Sequence, residues 1–215
     1  MNRGRGPVLA AAALTAALAV VYVRVVRPRA LRWGATDQEA ARPLPGDGVV
    51  KKADYVATRA ITIQAGPGQV WPWLVQIGSG RAGWYSYDRL DNAGVPSAAE
   101  IIPELQHLAA GDLVPMVAGK DVGLWVKELE PGRRMLWWDQ KGEYSWEWLL
   151  EPAAAGTRLV SRLRVTRHPW TRRMLYEVVA ANGDIVMIRK MLRGIKERAE
   201  RLAANPAPID GGLSS

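Results

Sequence analysis

From Val8 to Val23 the chain carries no charged residue (VLAAAALTAALAVVYV), and with Arg24 tolerated the apolar run reaches Val26. A spanning helix needs ~17–25 apolar residues and a signal-peptide core only ~7–15, so this run sits at the lower limit of a span. Ala17-Leu18-Ala19 offers a small-x-small cleavage site. The run continues beyond it through Val20, Val21, Tyr22 and Val23, where a cleaved chain would begin with polar residues. Residues 1–32 therefore read as an uncleaved, single-pass membrane anchor with basic flanks, and export after cleavage is the alternative. Arg24, Arg27, Arg29 and Arg32 follow the run while only Arg3 and Arg5 precede it, an excess that places the following domain in the cytoplasm.

Residues 33–53 hold Gly34, Pro43, Pro45, Gly46 and Gly48 among few apolar residues and read as a linker. Tyr55 to Ile63 is β-branched with partial alternation, and Ala65-Gly66-Pro67-Gly68 turns it into a helix whose Val70, Leu74 and Ile77 share one face. Gly78 to Asn92 is glycine-rich yet carries Trp84, Tyr85 and Tyr87, which predicts a segment folded back over the domain. Ala98 to Leu108 predicts a short helix interrupted by Pro103. Five short strands follow, Leu113–Ala118, Val122–Leu129, Arg134–Asp139, Tyr144–Leu150 and Arg158–Thr166, with turn signals between them that imply antiparallel pairing.

Period two puts Tyr144, Trp146, Trp148 and Leu150 on a covered face. Glu147 lies on the other, toward Arg162 or Arg164, and that face is predicted to be wet. After Pro169 the pattern predicts a helix that pauses at Asn182-Gly183-Asp184 and resumes to about Ala203. In its second part Ile188, Met191, Leu192, Ile195, Ala199 and Leu202 form a stripe at three- and four-residue spacing. The stripe turns Ile188, Leu192 and Ile195 inward and Arg189, Lys190, Arg193 and Lys196 outward. Residues 54–204 thus make one domain and 205–215 a tail.

The formal charge of +8 changes this picture less than its size suggests. Six arginines and no acid fall in residues 1–32, which leaves 23 basic and 21 acidic residues elsewhere. The remaining excess lies in 162–201, where it fits a solvated helix face, or a contact with anionic lipid, better than a nucleic-acid site. With no cysteine there is no disulfide, thiolate nucleophile or thiolate metal site. Phenylalanine is absent and tryptophan reaches ten, so indoles and phenols must fill the aromatic positions.

The two histidines, His107 and His168, have no spacing that would set two metal ligands on one helix face. Gly78-Ser79-Gly80-Arg81-Ala82-Gly83 imitates a dinucleotide loop but follows a helix instead of a strand. No metal or cofactor is expected. Asp88, Glu104 and His107 are the candidates for acid–base catalysis, each with an ordinary alternative as a turn, cap or exposed helix residue.

The order of elements is that of the START-like, or SRPBCC, superfamily of polyketide cyclase and lipid-transport domains. Ala57-Thr58-Arg59-Ala60-Ile61-Thr62-Ile63 followed by Pro67-Gly68-Gln69-Val70-Trp71 resembles its opening strand and P-x-x-V-W helix. Trp84-Tyr85-Ser86-Tyr87-Asp88, Glu104-Leu105-Gln106-His107-Leu108 and Gly111-Asp112 resemble a bacterial subgroup with an N-terminal apolar segment. The resemblance covers roughly Tyr55 to Leu202. It implies an α+β helix-grip fold, a curved antiparallel sheet wrapped around a long C-terminal helix, with an apolar cavity between them and one transmembrane helix ahead.

Expected ligand-binding residues are then Trp125, Trp137, Tyr144, Trp146 and Trp148 from the strands, Trp84, Tyr85 and Tyr87 at the mouth, and Ile188 and Leu192 on the floor. Each tryptophan also suits an ordinary solid core. The expected function is a membrane-tethered binding or carrier domain for a hydrophobic small molecule such as a lipid, isoprenoid or polyketide. The alternatives are a cyclase- or dehydratase-type enzyme, and an interaction module docking through its basic C-terminal helix.

Overall fold

A computed structural model describes residues 5–117, 119–120, 122–166 and 173–205, of which 5–12 and 173–183 by their backbone alone. His168, Pro169 and most of the tail lie outside the described residues.

The apolar N-terminal run forms α1 (Arg5–Val21), passes through a π turn (Tyr22–Val26) and continues as α2 (Arg27–Leu31). At ~1.5 Å per residue α1 is about 25 Å long, short of a ~30 Å hydrocarbon core. Among the described residues no helix is long and apolar enough to cross a membrane, so the spanning helix expected in 1–32 is not formed as a single element. Leu14, Leu18, Val20, Val23 and Val25 stand exposed. The far end is fixed to the domain, for Leu31 and Trp33 pack against the core and Arg59 Nε donates to the Ala30 carbonyl at 3.2 Å.

Next come α3 (Asp37–Ala41), β1 (Tyr55–Ile63), α4 (Pro67–Val75) and α5 (Asp88–Asp91). The meander β2 (Leu113–Pro115), β3 (Gly123–Glu130), β4 (Arg134–Trp138), β5 (Tyr144–Ala153) and β6 (Gly156–Val165) leads to α6 (Arg173–Ala204). The six strands form one antiparallel sheet in the order β1-β6-β5-β4-β3-β2, so the last strand returns beside the first. The architecture is α+β and fits a helix grip, with α4 and the inward stripe of α6 (Ile188, Met191, Leu192, Ile195, Ala199) packed on the inner face. The helix is unbroken across Asn182-Gly183, where a pause was expected. The helix expected over 98–108 is reduced to one 3-10 turn at Pro103–Leu105, because Pro103 supplies no amide to carry it further.

The outer sheet face departs most from expectation. It is not wet, and residues 33–53 are not a free linker: they fold across this face as a strap. Trp33 O accepts from Ala60 N at the β1 edge (3.2 Å), and Leu44 packs with Ala60, Leu149 and Val160. Arg162, 3% exposed, donates to Thr58 Oγ1, to Asp47 Oδ2 at 2.9 Å and to the carbonyls of Glu39, Ala40 and Arg42. Glu147 lies opposite Arg162 in register, yet its carboxylate pairs with Arg134 and accepts from Gly46 N at 3.1 Å. A Cβ at Gly46 would stand 2.7 Å from Leu136 Cδ1 and 2.8 Å from Glu147 Oε2, so a larger residue here would have to push those side-chain ends aside. Arg158–Glu39 (2.7 Å) and Arg42–Glu151 (2.6 Å) add two more ion pairs between strap and sheet.

Candidate functional site

The segment after α4 is held by one buried amide. Gln76 Nε2 donates to Tyr85 Oη (2.9 Å) and to the Glu100 carbonyl, while its Oε1 accepts from Ile102 N (3.0 Å) and Gln106 Nε2. Gly78 and Gly83 exchange backbone hydrogen bonds and close a tight turn. The glycine run that imitates a nucleotide loop is therefore a structural turn, and Gly78, Gly80 and Gly83 all adopt positive φ in it.

Tyr85 follows at φ 55, a conformation rarely taken by a non-glycine residue. Four contacts hold it there: Ser97 Oγ accepts from its amide, its hydroxyl donates to the Trp73 carbonyl, Gln76 reaches that hydroxyl, and the Arg198 guanidinium lies 4.6 Å from its ring. The mid-helix Gly194 makes room, since a Cβ there would sit 2.4 Å from Tyr85 O.

Pinned in this way, the loop turns Trp84 over the open end of the sheet, where a cavity of about 680 Å³ lies between the loop, β5, β6 and α6. Trp84, Tyr144, Trp146, Leu163, Ile188 and Met191 form its walls. Leu90 and Val117 line it while largely exposed, which makes its rim apolar. Trp84 and Trp146 stack, with centroids 6.2 Å apart and planes 6° apart, and Trp146 Nε1 donates to Ser161 Oγ at 2.8 Å.

Four of the ten expected binding residues, Trp84, Tyr144, Trp146 and Ile188, thus line the cavity. Trp137, Trp148 and Leu192 are inward but fully buried, one layer deeper in the solid core. Trp148 shares the face of Trp146, but the rings of Trp137 and Trp146 lie against it, with centroids 5.6 and 4.7 Å away. Tyr85 is core to the loop, and Tyr87 is 42% exposed outside the cavity. Trp125 points to the outer face opposite Trp138, because Leu124 and Val126 take the inward positions of β3.

None of the acid–base candidates reaches the cavity. Asp88 accepts from Ser97 Oγ within its own loop, and Glu104 and His107 stand in solvent. The carboxylates that do line it are Asp91 and Asp184. Asp184 accepts from Arg59 Nη2 (2.7 Å) and Tyr55 Oη (2.8 Å), and burial together with this carboxylate pushes the Tyr55 phenol up to about 12. Asp91 has both oxygens shielded from solvent and makes no ion pair among the described residues.

Burial raises the Asp91 pKa above its ordinary value. Hydrogen bonding from the neighbouring Ser86 hydroxyl and Tyr87 amide opposes that rise, and the same Ser86 hydroxyl is placed to donate to Met187 O. Sequence reasoning missed Asp91, Asp184, Met116 and Met187 as lining residues. The usable signal for Asp91 was its place in the aromatic loop, where a four-residue helix decides which carboxylate turns inward. Among the described residues no group of acids, histidines or cysteines could hold a metal ion.

No protein-family model matches the chain, and no curated protein does. Among solved structures it is similar to a Polyketide_cyc-like protein from Corynebacterium glutamicum, at 17% identity over 74% of this chain and 97% of that one, with a TM-score of 0.34. An AHSA1-like protein from Rhizobium etli shares 16% identity over 75% and 91%, with a TM-score of 0.42. The KanY protein shares 16% over 69% and 99%, with a TM-score of 0.44. These are distant likenesses in the course of the chain.

Proposed function

We propose that this protein binds an apolar small molecule in the cavity between sheet, aromatic loop and α6. The observation that carries the reading is the cavity itself: about 680 Å³, within the ~300–1,000 Å³ typical of ligand sites, and walled mainly by apolar and aromatic side chains. Among the described residues its lining holds two carboxylates and no lysine, arginine or histidine, so an uncharged ligand suits it better than a fatty-acid anion. Titrating the chain with 1-dodecanol and with dodecanoate, followed by tryptophan fluorescence, tests this. Saturable quenching by the alcohol and weaker binding of the carboxylate support the reading.

One observation favours a second reading, catalysis by an acid–base group: Asp91 lines the cavity as a desolvated carboxyl with no ion pair among the described residues. The expected candidates Asp88, Glu104 and His107 lend it no support.

Membrane attachment belongs to the same proposal. Leu14, Leu18, Val20, Val21, Val23, Val25 and Val26 all stand exposed, and Arg24, Arg27 and Arg29 collar the end of that stretch. Attachment there with the domain on the cytoplasmic side would hold the cavity near a source of apolar ligand. Carbonate extraction of the expressed chain tests it, with retention in the membrane pellet as the expected result.

A further inference from the structure

Trp33, the residue that leaves α2 for the strap, joins two basic segments far apart in sequence. The guanidinium of Arg189 lies 5.5 Å from its ring centroid and that of Arg193 5.7 Å, both from the outward face of α6. A guanidinium stacked on an indole keeps its N–H edge free for a phosphate. The adjoining cleft of about 580 Å³ also holds Arg158, Lys196 and Glu197. Arg158 is taken by Glu39 and Lys196 by Glu200, and among the described residues Glu197 is the acid that lines the cleft. Among the described residues Arg24, Arg27, Arg29, Arg189, Lys190 and Arg193 have no ion pair. Arg189 and Arg193, unneutralised by the protein, therefore lie over one tryptophan at the base of an exposed apolar helix that itself carries Arg24, Arg27 and Arg29.

We infer that this face, with Trp33 at its centre, is where the domain lies against an anionic phospholipid bilayer. The proposal deepens the membrane attachment above and rests on it. It adds a second contact, from α6, that fixes the orientation of the domain on the leaflet. Trp33 sits at headgroup level, as tryptophan does at membrane interfaces, and the arginines of α2 and α6 reach lipid phosphates on either side of it. Without the α6 arginines the domain would swing freely from its helix.

The test uses the full chain, diluted from detergent into vesicles and followed by flotation. Vesicles are neutral phosphatidylcholine, or the same with about 30% phosphatidylglycerol. The wild-type chain is expected to bind the anionic vesicles at least tenfold more tightly, and to lose that margin in about 0.5 M salt. Arg189→Gln with Arg193→Gln should weaken anionic binding by roughly fivefold per residue and leave neutral binding unchanged. Both side chains are exposed, so the fold should persist, and circular dichroism checks it.

Equal binding to both vesicles would overturn the docking face while leaving the apolar attachment standing. Anionic binding unaffected by the double variant would overturn it too. Failure to bind any vesicle would overturn both. Tight binding to a duplex RNA, lost in the same variant and without vesicle preference, would assign the face to another partner and overturn the proposal.

Discussion

The indole of Trp84, carried by a loop, stacks on the indole of Trp146, carried by β5, with planes 6° apart. The contact links the element over the cavity mouth to the sheet that forms its wall. Any molecule filling the cavity therefore meets a paired aromatic surface, and one that parts the two rings must also shift the loop.

Trp146→Ala is expected to weaken binding of 1-dodecanol at least tenfold while reducing stability less than Trp148→Ala does. Trp146 faces the cavity, whereas Trp148 is fully enclosed by protein, where truncation costs ~3–5 kcal/mol. Affinity and urea midpoint measured on both variants check this. Equal loss of stability with no separate ligand effect would make Trp146 a core residue only.

Gly194→Ala should destabilise the protein, although alanine is the better helix former by ~1 kcal/mol. The added methyl would meet Tyr85 O at 2.4 Å, and the backbone cannot yield without displacing the loop that carries Trp84. A lowered melting temperature together with weaker ligand binding is the expected pair of results. Stabilisation would show that the loop is not seated on α6 as described.

The strap should be sensitive to acid. Arg158 holds the Glu39 carboxylate at a pKa of about 2, down from an ordinary 4.5. A depressed folded pKa contributes stability above the unfolded value and loses it as pH falls, so this contribution fades between about pH 4.5 and 2. Glu147 and Asp91 run the other way. Burial raises both, and stability from their protonated forms is lost as pH rises through the window above their ordinary values of 4.5 and 3.8. Glu39→Gln should flatten the acid limb of a stability–pH curve, and Asp91→Asn should remove part of the opposing slope.

Arg162→Ala is expected to cost about 3–5 kcal/mol, because it removes the buried guanidinium that holds three strap carbonyls and Asp47, leaving Asp47 only Arg164 and the Leu44 amide. Denaturant unfolding reads the loss, and hydrogen exchange should show faster exchange in residues 33–50. An exposed linker would show neither.

Much of this was legible in the residues. Alternation gave the faces of β5 and β6, so Trp146 and Leu163 point inward as expected, and the α6 stripe is buried from Ile188 to Ala199 and only half-buried at Leu202. The strap was not legible, because it is held by carbonyls, Asp47 and the small size of Gly46, none of which leaves a hydrophobic period. The wet face assigned to Glu147 and Arg162 failed for the same reason. At the site, alternation says which side of the sheet a tryptophan faces but not how deep it lies, and depth separates Trp146 from Trp148. Asp88 and Asp91 differ by less than one helical turn, so which one turns to the cavity depends on the pinned loop and not on local pattern.

The central claim is that the cavity holds an apolar molecule. Native mass spectrometry of the full chain released from detergent, compared with a Leu163→Trp variant that fills the cavity, tests it most directly. A small, apolar, noncovalent adduct is expected on the wild-type chain, or one restored by added 1-dodecanol, together with its loss in a variant that remains folded. A wild-type chain that carries no adduct and takes up no alcohol, or a variant that binds as the wild type does, would contradict it.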